Sequence, residues 1–384
     1  MTERTSTNKV DADRTRVLIC LHSFEPGGVE RDVLRLTPSL RAAGIDARIA
    51  LGRREGVLQN EAPDVPYFDM NGLGTANYET LWMIRKLPGV IRQFRPHVLF
   101  CASNGLAAVA VAMRIVLGKK CPPIVMRISN DLVRADLTGV DLMLHRLGLK
   151  AQSRAYDMVV AMAEPLRAEI IEQIGVDDTR VTVINNASLT TDNLQRFAQA
   201  RDAADRGHTG RRFVAVGRLM PQKNFGLLID AFARIAGPED RLTIVGEGAL
   251  RQRLAEQAAR LGVADRIDMP GHCFDAWNWF ADADVFVLSS DFEGLPAVVV
   301  EALAAGIPIV ATRCAASMPL LVEGAGRLVP IKDMAALATA MDNVLADEID
   351  VAKMRARAAA FTTEATVASW AALFTKIARA DGDG

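Results

Sequence analysis

Glu293 and Glu301 stand with seven residues between them in DFEGLPAVVVEALAAGIPIV, positions 291 to 310. The stretch from Ala297 to Ala305 is apolar except for Glu301, while Glu293 lies in the loop that opens it. Pro296 suits the first position of a helix and Gly306 its stop. Glu301 then falls in the second turn, ~7 Å beyond Pro296 at 1.5 Å per residue. A carboxylate buried without partners costs several kcal/mol, on the order of a domain's whole stability margin. It must meet a cation, as a structural salt bridge, or a set of hydroxyl donors. Sugar hydroxyls are such donors, and one carboxylate can accept two of them. Glu293 can likewise be an anion beside the positive end of the helix.

Other groups suit a phosphate. In VGRLMPQKN, Arg218 follows a strand end and Lys223 lies five residues on, where a helix should begin. A guanidinium fork and an ammonium point charge converging there would grip a diphosphate, although two solvated surface charges would look the same. In EPGGVERDV, Gly27 and Gly28 separate the first strand from the first long helix. They would let backbone N–H groups approach an anion, or simply allow a tight turn. No G-x-G-x-x-G is present there, and VGEG at 245–248 lacks the third glycine, which argues against a dinucleotide. PGHCFD places Gly271 and His272 after another strand, where His272 reads as a loop residue rather than a catalyst.

These positions need a frame. Short apolar runs at 16–21, 46–51, 97–102, 123–128, 157–162 and 181–186 read as buried parallel strands, with helices between. The pattern restarts at 212–217 and continues at 241–246, 266–271, 285–290, 307–312 and 326–330. Alternating strands and helices imply parallel sheets with right-handed crossovers, and ligands at the carboxyl ends of the strands. The expected division is a disordered arm at 1–14, a Rossmann-like domain at 15–188, a polar linker at 189–210, a second Rossmann-like domain at 211–362 and a C-terminal helix at 363–384. Two domains also suit a length of 384 residues, since one domain usually takes ~100–150.

Composition narrows the function classes. With 50% hydrophobic and 24% charged residues the chain is ordinary globular protein, and a net charge of −1 gives no reason to expect nucleic acid. Five scattered cysteines and five histidines make a structural zinc site unexpected and suit a reducing cytoplasm. The polar N-terminus carries no signal-peptide core, and no run approaches the ~20 apolar residues that a membrane span needs.

The spaced glutamates resemble the E-x7-E motif of retaining glycosyltransferases with the GT-B fold. The match extends to GGVER (27–31), VGRL with Lys223, VGEG and the stretch 271–312, all in the family's order. The whole is similar to the large group 1 branch, family 4, over about 14–380. The resemblance implies an α/β protein of two doubly wound domains with a cleft between them, the C-terminal helix crossing back to the first. It implies an acceptor-binding first domain and a second that binds a UDP- or GDP-linked sugar. Glu301 would then accept the ribose hydroxyls, and Glu293 the sugar hydroxyls with help from the N–H groups of Gly294 and Leu295. Arg218 and Lys223 would hold the diphosphate, opposite Gly27 and Gly28. Gly271 and His272 would flank the base. No cofactor or divalent metal is expected, because the two cations replace it, and no D-x-D stands at a strand end. The DAD at 282–284 precedes its strand.

Two stretches depart from the family pattern. A histidine common among relatives is replaced in MRISNDLVR, where Asn130 or Asp131 would orient sugar or acceptor, or cap a helix. RCAASMPLLVEG (313–324) differs from the Gly-rich acidic version of the family. The expected acceptor is a glycan or lipid-linked oligosaccharide, used in surface polysaccharide assembly at the cytoplasmic face of the inner membrane. Arg85, Lys86, Arg92, Arg95, Lys119 and Lys120 would face anionic lipid there, or merely line solvated helices. A sugar-nucleotide epimerase, a phosphorylase or a non-catalytic sugar-nucleotide-binding subunit on the same fold are the competing readings.

Overall fold

In the computed structural model the described residues are 14–25, 27–70, 78–129, 132, 139–273 and 276–382. Asn130 and Asp131 lie outside them. The described strands form two parallel sheets. The first contains β1 (Arg16–Leu21), β2 (Asp46–Leu51), β3 (Tyr67–Asp69), β4 (Val98–Cys101), β5 (Ile124–Ile128), β6 (Met158–Ala161) and β7 (Val181–Val183), in the order β3-β2-β1-β4-β5-β6-β7. The second contains β8 (Arg212–Val216), β9 (Arg241–Val245), β10 (Ile267–Gly271), β11 (Val285–Leu288), β12 (Ile309–Thr312) and β13 (Gly326–Val329), in the order β10-β9-β8-β11-β12-β13. β4, β5, β11 and β12 are buried at every position, as strands covered by helices on both faces must be.

Both sheets are doubly wound. The chain steps outward from β1 to β3, then returns to lay β4 against the other side of β1. It repeats this around β8, which pairs with β9 on one side and β11 on the other. The order reverses between β1 and β4 and again between β8 and β11. Loops diverge at such points and leave a crevice at the carboxyl ends of the two strands.

The chain divides into two compact units, Met1–Ala187 with Thr363–Gly384, and Ser188–Thr362. The last helix, Thr363–Gly382, therefore belongs with the first sheet. Its Trp370 and Phe374 enter the core beside Phe100 of β4, at ring separations of 4.8 and 5.5 Å.

Much of the segment expected to be a linker is helical. Thr191–Ala203 begins with a capping box in which Thr190 and Asn193 satisfy each other's backbone N–H groups. Phe197 packs edge-on against Phe280 at 5.4 Å, and Arg201 donates to the carbonyl of Ala281 at 2.9 Å. These contacts make the helix part of the second unit.

Candidate functional site

The switch point of the second sheet is where the sequence's basic and acidic motifs meet. After β8 the chain passes Gly217 and Arg218 and makes a short 3-10 turn, Pro221–Lys223. Asn224 then takes a left-handed conformation (φ 46°) and caps the helix Phe225–Ile235. A Cβ on Gly217 would lie 3.1 Å from Cε of Lys223, so the glycine leaves room for the lysine's aliphatic stem. After β11 come Ser289, Ser290, Asp291 and Glu293. Four hydrogen bonds stitch the loops together. Ser289 Oγ donates to the Lys223 carbonyl at 2.8 Å, and Asp291 N to the Gln222 carbonyl at 2.9 Å. Gln222 Nε2 donates to the Phe292 carbonyl and Asn224 Nδ2 to Asp291 Oδ1, each at 2.8 Å.

Within this frame Lys223 Nζ stands 2.5 Å from Glu293 Oε1, with the side chains 16% and 11% exposed. Ser290 Oγ donates to the same carboxylate oxygen at 2.8 Å. The sequence placed Lys223 after one strand and Glu293 in a loop after another but did not show that they pair, because 70 residues separate them. Arg218 differs: it is exposed, and among the described residues no protein group pairs with its guanidinium.

Glu301 is buried, 8% exposed, midway along the helix Ala297–Ala305. Pro296 is the residue before the helix, with extended backbone (ψ 105°), rather than its first position. Gly306 closes the helix in the left-handed region, as expected. The turn entering it is fixed from below: Glu293 N donates to the Cys314 carbonyl at 2.8 Å, and Ser317 Oγ to the Gly294 carbonyl at 2.9 Å. Leu295 is buried.

The neighbouring strand ends pack backbone on backbone. A Cβ on Gly246 would fall 1.9 Å from the Gly217 carbonyl oxygen, and one on Gly248 2.5 Å from that of Leu219. Both have φ values that favour glycine, 149° and 158°. These glycines of VGEG therefore hold the β8 and β9 loops together. Gly246 N donates to the Gly271 carbonyl at 2.8 Å, which brings the β10 end and the half-buried His272 to the same edge. Glu247 and Arg251 form a two-point ion pair over Gly271, at 2.6 and 3.0 Å.

In the first unit Gly27 is the N-cap of the helix Gly28–Ala42. The Glu30 side chain folds back over Gly27, whereas a Cβ on Gly28 would meet nothing within 4 Å. Sequence reading missed two groups at this sheet's carboxyl edge. Arg127, 1% exposed, pairs with Asp32 and donates to the Ala102 carbonyl at 2.8 Å and to Asn186 Oδ1 at 3.2 Å. Burial pulls its guanidinium down to about 10, against the opposing charge of Glu30. A single charge near the end of the apolar run PIVMRI was the available signal. His22 follows β1, and burial lowers its imidazole below the usual 6.5, partly offset by the charge of Glu79.

The two halves match two family descriptions: Glycosyltransferase Family 4 at residues 26–187 and Glycosyl transferases group 1 at residues 197–361. The chain belongs to the group 1, family 4 type of glycosyltransferases. Within this family it is 36% identical over 135 residues to the lipopolysaccharide core biosynthesis glycosyltransferase LpsE of Rhizobium meliloti, covering 35% of this chain and 39% of that one. It is 33% identical over 187 residues to a GDP-mannose-dependent phosphatidylinositol monomannoside mannosyltransferase of Mycolicibacterium smegmatis, covering 42% and 47%. The chain thus spans less than half the length of these two curated relatives. Among solved structures, sucrose-phosphate synthase of Thermosynechococcus elongatus superposes with a TM-score of 0.79 at 20% identity, over 96% of this chain and all of that one. Anabaena HepE, solved in complex with UDP, gives 0.71 at 19% identity, over 94% and 100%. The fold is GT-B.

Proposed function

We propose that this chain transfers a sugar from a UDP- or GDP-linked donor to a hydroxyl of a glycan or lipid-linked acceptor. The reaction retains anomeric configuration, uses no divalent metal, and serves surface polysaccharide or glycoconjugate assembly at the cytoplasmic face of the membrane. The observation that carries this reading is the meeting of Lys223 and Glu293 at the switch point of the second sheet, with Arg218 exposed on the same edge. Relatives named for lipopolysaccharide and mannoside synthesis, and a neighbour solved with UDP, support the substrate class.

In this reading the diphosphate binds Arg218 and Lys223, the ribose binds Glu301, and the sugar hydroxyls bind Glu293 beside the N–H groups of Gly294 and Leu295. Gly271 and His272 border the base. As the bond from the anomeric carbon to the diphosphate breaks, its electron pair leaves with the phosphate oxygen. The two cations stabilise that charge, each by ~3 kcal/mol. The acceptor hydroxyl forms the new bond on the vacated face, and its proton passes to the departing phosphate.

The test is a panel of UDP- and GDP-sugars, each incubated with purified protein in excess chelator. Nucleoside diphosphate release, and the anomeric configuration of the product by NMR, are read. Release with retention is expected for at least one donor. Nucleotide binding without release or transfer would instead make the chain a non-catalytic subunit, and activity only with added Mg²⁺ would remove the metal-free mechanism.

A further inference from the structure

Among the described residues, the first unit carries an exposed apolar stripe on one helix. On the helix Gly139–Gln152, Val140, Met143, Leu144 and Leu147 are 66%, 54%, 58% and 55% exposed. Their spacing of three, four and seven puts them on one face. Leu149 of the same helix packs against the core, so the helix is anchored while its stripe points outward. The helix Ala107–Leu117 touches it and ends in two more exposed residues, Ile115 at 76% and Val116 at 59%.

The rim of this surface is cationic. Arg146, Lys150 and Arg154 are exposed on and just after the first helix, and Lys119 and Lys120 just after the second. Asp141 is the one carboxylate in residues 107–120 and 139–154. Contiguous exposed apolar side chains mark a contact surface, and aliphatic groups ringed by Lys and Arg suit the boundary of an anionic bilayer. There the apolar groups reach the acyl region while the long basic side chains stay at the headgroups. A second copy of the chain fits poorly, because self-association would set the same cations against one another.

Of the basic residues that the sequence singles out, Lys119 and Lys120 stand beside this surface, whereas those of an earlier helix do not. Arg85, Lys86 and Arg92 lie on the helix Glu79–Phe94, whose Met83, Leu87, Ile91 and Phe94 are buried in the core. That helix turns its apolar face into the core and exposes one large apolar side chain, Leu81, in place of a stripe.

We infer that the face made by Val140, Met143, Leu144, Leu147, Ile115 and Val116 docks the protein on an anionic lipid surface. This gives the membrane setting proposed above a location, and rests on that reading only for its biological role. The test is flotation of full-length protein with vesicles of phosphatidylethanolamine and phosphatidylglycerol, against vesicles of phosphatidylcholine alone. It needs no donor and no turnover, so its outcome is separate from that of the transferase assay. Binding to the anionic vesicles only is expected. Leu144→Glu with Leu147→Glu, and separately Arg146→Glu with Lys150→Glu, should each weaken it by at least about tenfold, because each removes half of the recognition. Arg85→Glu with Arg92→Glu should leave it within about twofold. All these positions but the two control arginines lie in the proposed face, and circular dichroism verifies that each variant folds. Vesicle binding absent in the wild type, or unchanged in both face variants, overturns the proposal. A wild-type dimer in sedimentation that Leu144→Glu with Leu147→Glu dissolves, without any lipid binding, would assign the face to a second copy instead.

Discussion

At the scale of single residues, Arg218 and Lys223 carry the same proposed role in different settings. Both should lose ~100-fold or more in turnover as alanine variants, since each acts where leaving-group charge develops. Their effects on stability should diverge. Arg218 is exposed, so Arg218→Ala should change stability by no more than about 0.5 kcal/mol. Lys223→Ala strands the nearly buried Glu293 with the Ser290 hydroxyl, which should cost about 2–4 kcal/mol, and adding Glu293→Gln should recover part of it. Urea unfolding of the four proteins reads the difference. Equal stabilities would mean that the Lys223–Glu293 pair contributes nothing net. His22 gives a pH signature of its own. Because burial holds its folded pKa below 6.5, the unfolded chain takes up the proton first as pH falls. Stability from neutral His22 is thus complete above about 6.5 and declines as pH drops toward the folded value, below which the loss levels off. Urea midpoints at about pH 7.5 and about pH 5.5 should differ less in His22→Phe than in the wild type. Residue types were legible in the sequence; the Lys223–Glu293 and Arg127–Asp32 pairs were not, because each joins segments distant in the chain.

At the scale of elements, buried strands were the most legible feature, since a parallel strand covered on both faces has to be a short apolar run. β3 escaped because it is a three-residue edge strand with no position fully buried. The helix Thr191–Ala203 escaped because it buries only Phe197 and Arg201, too few for a visible period. Its capping pair, Thr190 and Asn193, was the legible clue. Glycines of the loops are where sequence and structure part most usefully. Gly246→Ala puts a methyl group against the Gly217 carbonyl at a φ of 149°, so it should cost at least about 3 kcal/mol and take activity with it. Gly28→Ala has open space and sits at the start of a helix, so it should be neutral to about 1 kcal/mol stabilising. If Gly28→Ala keeps its unfolding midpoint while the KM for the donor rises, the glycine serves a ligand rather than the fold. If the midpoint falls with it, Gly28 is a turn residue and nothing more.

At the scale of the whole molecule, the two units differ in how the chain builds them. The second is one continuous stretch, Ser188–Thr362. The first is closed by a segment from the far end of the chain, because Trp370 and Phe374 are 1% and 0% exposed against Phe100. Removing a buried aromatic side chain costs ~3–5 kcal/mol, so losing both approaches or exceeds the ~5–15 kcal/mol by which a domain is stable. A fragment of residues 188–362 should therefore unfold cooperatively in urea, with near-UV circular dichroism typical of packed aromatics. A fragment of residues 1–187 should not, since its sheet would leave Phe100 of β4 open to water where Trp370 and Phe374 now pack. Joining 363–384 to 1–187 through a flexible Gly/Ser linker should restore cooperative unfolding, because helix docking needs the segment nearby rather than the second unit in between. Cooperative unfolding of 1–187 alone, with an m-value scaled to its size, would show that the C-terminal helix decorates the first unit instead of completing its core.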